Sequence, residues 1–228
     1  MIPVGDEGEG RGGIAPITLV LVALNVLAFV LELMQPSAGA LESFVHAWGV
    51  VPREYSLARD LPPPIPLPFW TTLFTSMFLH GGWAHLGGNM LYLWTFGDNV
   101  ERRLGSMRFL VFYLVCGVAA ALAHVAFNAQ SNVPTIGASG AISGVLGGYL
   151  VLFPRNQVRV LTRGGIATVP AVVMLGLWIV IQLLSSIGSI TDAGESSGVA
   201  YLAHVGGFVA GVVLVKIMAA GRRRPALA

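Results

Sequence analysis

From Phe109 to Pro154 the chain carries no Asp, Glu, Lys or Arg. A water-soluble domain has no room for such a run, because about a quarter of its residues are charged. A helix that crosses a bilayer needs about 20 apolar residues. The run is long enough for two crossings, and the polar stretch from Asn128 to Thr135 divides it. Composition points the same way: 55% of residues are apolar, 11% are charged, and the mean hydropathy is +0.75. The sequence therefore predicts helices over about 107–127 and about 138–153.

The same criterion finds four more spans, at about 14–31, 82–100, 166–187 and 199–219. The second is weakly apolar because it holds His85, Asn89 and several glycines. A polar connection over about 35–69 follows the first span and contains Pro62, Pro63, Pro64, Pro66 and Pro68. The predicted fold class is an all-α membrane protein, a bundle of six transmembrane helices in one domain over 14–220. A Gly-rich acidic segment, 1–13, precedes it and a basic tail, 221–228, follows. The first apolar stretch is too long for the core of a cleaved signal and reads as a retained span.

Charge sets the expected orientation. With the N-terminus inside, the inner segments hold Arg11, Arg102, Arg103, Arg108, Arg155, Arg159, Arg163, Lys216, Arg222, Arg223 and Arg224, and the outer ones hold only Arg53 and Arg59. Eleven of the thirteen basic residues then lie inside, which favours cytoplasmic N- and C-termini. On this reading Arg222–Arg224 are a topology signal, and no nucleic-acid partner is expected. Cys116 lies in an apolar run and reads as a small buried hydrophobe.

Ionisable and amide groups inside spans are costly and are functional candidates. His85 and Asn89 are four residues apart and share a helical face. They either serve a common polar target or join helices. Ser139 stands in Gly137-Ala138-Ser139-Gly140 at the start of an apolar helix. A helix start offers free N–H groups and the positive end of the dipole, which suits a hydroxyl that becomes an alkoxide. Gly137, Gly140, Gly144 and Gly148 give that span a bare face, and Gly207 and Gly211 follow His204 directly. Small faces let membrane helices approach closely, as a Ser–His hydrogen bond between two helices requires. The residues therefore point to a Ser139–His204 dyad without a carboxylate partner. His124 reads as structural. His46, His80 and His85 lack the company of a metal-binding pattern, so no metal and no cofactor is expected.

Four ordered motifs resemble the rhomboid family of intramembrane serine proteases over about 70–211. They are His80-Gly-Gly-Trp-Ala-His85-Leu-Gly-Gly-Asn89, Phe96-Gly-Asp-Asn-Val-Glu101-Arg-Arg-Leu-Gly105-Ser106, Gly137-Ala-Ser139-Gly140, and Ala203-His204-Val-Gly-Gly207-Phe-Val-Ala-Gly211. The resemblance implies a six-helix rhomboid-like bundle in the cytoplasmic membrane. It implies Ser139 as nucleophile, His204 as general base and then acid, and His85 and Asn89 with the Ser139 N–H as the oxyanion hole. Span five would admit a substrate helix sideways, and substrates would be single-span membrane proteins within the lipid bilayer. Two positions depart from the pattern. Thr71 follows Trp70 where many relatives have Arg. Ser143 stands where some place an aromatic ring against the catalytic histidine, which leaves Tyr201, one turn before His204, as the candidate for that contact.

Two other classes compete. A non-catalytic relative would bind membrane proteins without cutting them, but such members usually lose the Ser or the His. A small transporter would show internal repeats or a midplane ion site, and the sequence has neither.

Overall fold

Inside lipid every backbone polar group must find a partner within the protein, which leaves helices as the spanning elements of a chain like this one. The computed structural model describes residues 2–7, 14–191 and 201–220, with side chains up to 186 in the second stretch. Most of the N-terminal segment beyond residue 7, much of the expected outer loop at 188–198, and the tail with Arg222, Arg223 and Arg224 lie outside the described residues.

The helices are α1 (Pro16–Leu33), α2 (Ala38–Trp48), α3 (Pro52–Leu57), α4 (Thr72–Thr75), α5 (Trp83–Leu104), α6 (Ser106–Phe127), α7 (Ser139–Leu152), α8 (Ala171–Thr191) and α9 (Tyr201–Met218). Among them α1, α6 and α9 are long and apolar enough to cross a membrane, while α7 and the 171–186 part of α8 are shorter apolar helices. Large apolar side chains are exposed on α1 (Leu24, Leu27, Leu31), on α8 (Val173, Leu177, Leu184) and on α9 (Val209, Val213, Ile217). Outward apolar faces on several helices are what a lipid solvent selects. The chain is an all-α membrane protein that crosses the bilayer more than once.

Helix α7 forms the centre. Every residue from Gly140 to Tyr149 is buried, and α5, α6 and α9 pack around it. The glycines explain how. A Cβ on Gly207 would overlap the carbonyl oxygen of Gly140, and one on Gly211 would overlap that of Gly144. A Cβ on Gly140 would come within 2.6 Å of the Ala120 methyl, and one on Gly144 would run into Cys116. So α9 lies on the backbone of α7, while the glycines of α7 admit side chains of α6.

The 35–69 connection holds α2 and α3. Tyr55 Oη bonds Thr72 Oγ1 at 2.6 Å, fixing α3 against α4. Glu101, near the end of α5, is buried and fully engaged. It accepts from Ile17 N (3.0 Å), Thr18 N (2.7 Å), Thr18 Oγ1 (2.8 Å) and Ser106 Oγ (2.7 Å). The residue before α1 is Ala15, which has no capping side chain. Glu101 caps α1 from another helix and places its charge at the positive end of the dipole.

A small sheet completes one end. Strands β1 (Ile2–Asp6), β2 (Gln157–Thr162) and β3 (Gly165–Pro170) pair antiparallel in that order, with Asp6 opposite Val158 and Gln157 opposite Pro170. Span five, expected from about 166, begins as a helix only at Ala171. Pro170 lacks an N–H and drives Val169 to extended geometry, and Ile166, Thr168 and Val169 are β-branched. Asp6 fastens β1 to the bundle by accepting from Asn99 Nδ2 (2.8 Å) and from the Tyr149 hydroxyl.

Candidate active site

The loop before α7 is held rigidly. Val50 and Thr135 exchange backbone hydrogen bonds (3.0 and 2.8 Å), and Gly137 N donates to Ser76 O at 2.8 Å. Gly137 has φ +122°, a conformation that side chains resist. A Cβ there would also stand 2.7 Å from His85 Nε2. These constraints make Ser139 the first residue of α7. Its N–H and those of Gly140 and Ala141 have no partner within the helix.

His204 stands three residues before Gly207, where α9 lies on α7. Its Nε2 is 2.8 Å from Ser139 Oγ. Both residues are partly exposed. The structure thus brings together the two side chains that the glycine pattern paired. What holds the imidazole from behind is on α8. Gln182 Oε1 is 2.7 Å from His204 Nδ1, and the Trp178 ring centroid lies 6.1 Å from that of His204. Tyr201, the candidate from the sequence, is edge-on at 6.5 Å. Ser143 turns inward, with its hydroxyl donating to Ser139 O at 2.6 Å, and leaves the ring to α8.

On α5, His85 and Asn89 face the same region. The Gly81 N–H donates to His85 Nδ1 at 3.3 Å, so the ring proton sits on Nε2, the nitrogen beside Gly137. Asn89 is buried, and its Nδ2 lies 2.9 Å from His80 Nε2. The other nitrogen of His80, Nδ1, is 3.1 Å from the Phe78 carbonyl. His80 therefore donates through Nδ1 and accepts one Asn89 N–H through Nε2, leaving the second Asn89 N–H available. The backbone N–H of His80 donates to Glu32 of α1 at 2.9 and 3.2 Å. Glu32 thus fixes His80, which fixes Asn89. His124 lies at the end of α6 with Asn128, whose Nδ2 donates to its carbonyl at 2.9 Å. Among the described residues no group of three or more His, Cys, Asp or Glu is arranged to hold a metal ion.

Sequence reasoning assigned no role to His80 and passed over Gln182. A signal for Gln182 existed. It is the one amide in α8, and the rule that singles out polar groups at membrane depth applies to it as it does to Asn89.

The profile of the Rhomboid domain matches residues 68–221. The Rhomboid protease GluP of Bacillus subtilis is 34% identical over 205 residues, covering 90% of this chain and 36% of GluP. The RHOMBOID-like protein 5 of Arabidopsis thaliana is 31% identical over 142 residues, 62% of this chain and 42% of that protein. The Rhomboid protease AarA of Providencia stuartii is 27% identical over 219 residues, 89% of this chain and 72% of AarA. The chain thus spans less than half the length of the first two.

Proposed function

Because the chain belongs to the rhomboid family, we propose that it is an intramembrane serine endopeptidase that cuts transmembrane segments of single-span membrane proteins. The observation that carries this reading is the 2.8 Å contact between Ser139 Oγ and His204 Nε2. In this mechanism His204 Nε2 takes the hydroxyl proton as Ser139 Oγ attacks the scissile carbonyl carbon. The carbonyl π electrons move to oxygen, which becomes the oxyanion. In this reading the His85 Nε2–H, the second Asn89 N–H and the Ser139 backbone N–H form the oxyanion hole and stabilise that charge. The intermediate collapses as the C–N bond breaks, and His204 Nε2–H protonates the leaving amine. Water, activated by the same imidazole, then splits the acyl-enzyme and restores the Ser139 hydroxyl.

All six of α1, α5, α6, α7, α8 and α9 span the cell membrane in this reading, with both termini cytoplasmic. The basic-residue bias supports that orientation. So does the pairing of β1 with β2, which puts the N-terminal strand and the α7–α8 connection at the same end.

The test is cleavage of a model single-span substrate by the purified chain in detergent and in liposomes. Ser139→Ala and His204→Ala should each fall to background, since nucleophile and base act as a unit. A fluorophosphonate should label the parent chain and not Ser139→Ala. Near-normal turnover by either variant would refute the dyad. Absence of both cleavage and labelling in the parent chain would favour a non-catalytic relative.

A further inference from the structure

We propose that Gln182 is the positioning residue of the dyad, a neutral amide on α8 that selects the catalytic tautomer of His204. The proposal rests on the protease reading above. Only one tautomer of a neutral imidazole can serve there. Nε2 must keep its lone pair to accept the Ser139 proton, so the ring hydrogen must sit on Nδ1. A carbonyl oxygen held against Nδ1 enforces this, because it can accept that hydrogen but cannot supply one. Gln182 Oε1 occupies this position at 2.7 Å.

The residue sits in a packed stretch of α8. Gln182 is buried, with 9% of its surface exposed. Ser186, one turn on, donates its hydroxyl to the backbone carbonyl of Gln182 at 2.7 Å. Trp178, one turn back, places its ring 6.1 Å from His204 and 6.2 Å from Phe208. Trp178, Gln182 and Ser186 thus form one face of α8. The ring of His204 is gripped on Nδ1 and along its face from this helix, while Ser139 meets Nε2 from α7. When Nε2 takes the proton, the Nδ1–H···Oε1 bond becomes charge-assisted and strengthens. The amide therefore favours the imidazolium of the transition state without placing a second ionised group in the membrane.

Three substitutions test this. Gln182→Leu removes the acceptor at similar size, Gln182→Asn shortens it, and Gln182→Glu restores an acceptor and adds charge. Hydrogen-bond partners that orient metal-ligating histidines are worth about 10–100-fold, and the same scale is taken for a partner that orients a catalytic one. The expected result is that Gln182→Leu lowers kcat about 100-fold with KM nearly unchanged. Its rate of fluorophosphonate labelling should fall in parallel, at an unchanged thermal midpoint in detergent. Gln182→Glu should recover most of kcat above neutral pH and move the acid limb of kcat/KM to higher pH, because a carboxylate holds a proton on the imidazole. Gln182→Asn should lie between. Among the described residues the other ionisable groups that act on His204 are His85 of α5 and His124 of α6, with Tyr201 near it on α9. His85→Gln and His124→Gln controls should leave the Glu-dependent displacement in place.

Wild-type turnover and labelling in Gln182→Leu would overturn the proposal. So would a Gln182→Glu enzyme that is as slow as Gln182→Leu or keeps the parental pH profile. If Gln182→Leu does not fold, the Gln182→Glu profile decides alone. Failure of the protease reading looks different, because the parent chain itself would then neither cleave nor label.

Discussion

Replacing Gly207 by Ala tests whether the glycine ladder sets the dyad distance. The new methyl carbon would overlap the carbonyl oxygen of Gly140 and stand 3.0 Å from its carbonyl carbon. These are backbone atoms of a helix, so no side chain can swing aside. Relief requires α9 to retreat from α7 by about 1.4 Å to reach ordinary contact. His204 is one turn away on the same helix, and its bond to Ser139 is 2.8 Å. An equal retreat there would leave the pair beyond hydrogen-bonding range. Overpacking of this kind costs about 1–3 kcal/mol of stability, and a misplacement of about 1 Å can cost about 100-fold in rate. Gly176→Ala is the control, because a Cβ on Gly176 meets nothing within 4 Å. Turnover of a model substrate and the thermal midpoint should be measured for both in one detergent. Gly207→Ala should lose both activity and stability, and Gly176→Ala neither. A Gly207→Ala protein with parental kcat and midpoint would refute the reasoning.

Asn89→Ala should lower kcat per labelled serine by about 100-fold with KM little changed, since the proposed oxyanion hole loses one donor; unchanged kcat would restrict Asn89 to joining helices. Glu54, outside the spanning helices, is a buried carboxylic acid whose pKa burial pushes from 4.5 to about 7, against a hydrogen bond from Leu61 N and with Asp60 adding to the rise. The folded state then holds a proton that the unfolded state releases, so this stability is complete below pH 4.5 and lost as pH rises through about 7. The thermal midpoint should decline over that window, and Glu54→Gln should flatten the decline. In a Cys116→Ser background, Arg163→Cys should be labelled by an impermeant thiol reagent only from the cytoplasmic side and Arg59→Cys only from outside; the reverse would invert the topology.

The helices were legible because both of their requirements are local. A span needs uninterrupted apolar length, and the close approach of α9 to α7 needs missing side chains at Gly207 and Gly211, and each can be counted along the chain. The sheet was not legible, because β1 is a short Gly-containing strand whose partner β2 lies at the other side of four long helices in sequence. Nothing within 1–13 announces that Asp6 will reach Asn99 and Tyr149. The start of span five was misplaced for a related reason. The residues 165–170 are apolar enough for a span, and only Pro170 with its β-branched neighbours argues for a strand.

The site divides in the same way, and its histidines show why. Position along the chain identifies a histidine but not which of its nitrogens carries the proton. That is decided by whatever faces Nδ1. His85 meets a backbone N–H, from Gly81, so its proton is displaced to Nε2 and it becomes a donor beside Gly137. His80 meets a carbonyl, from Phe78, so its Nε2 becomes an acceptor and holds Asn89. His204 meets the Gln182 carbonyl oxygen, so its Nε2 also becomes an acceptor, and the group it faces is the Ser139 hydroxyl. In the proposed mechanism one residue type thus supplies a donor, a brace and a base within one site. In two of these cases the deciding group is backbone within a few residues, set by the turn at 78–82. In the third it is an amide on another helix, fixed by how α8 is rotated against α9, and that rotation belongs to packing and leaves no mark on the sequence around His204.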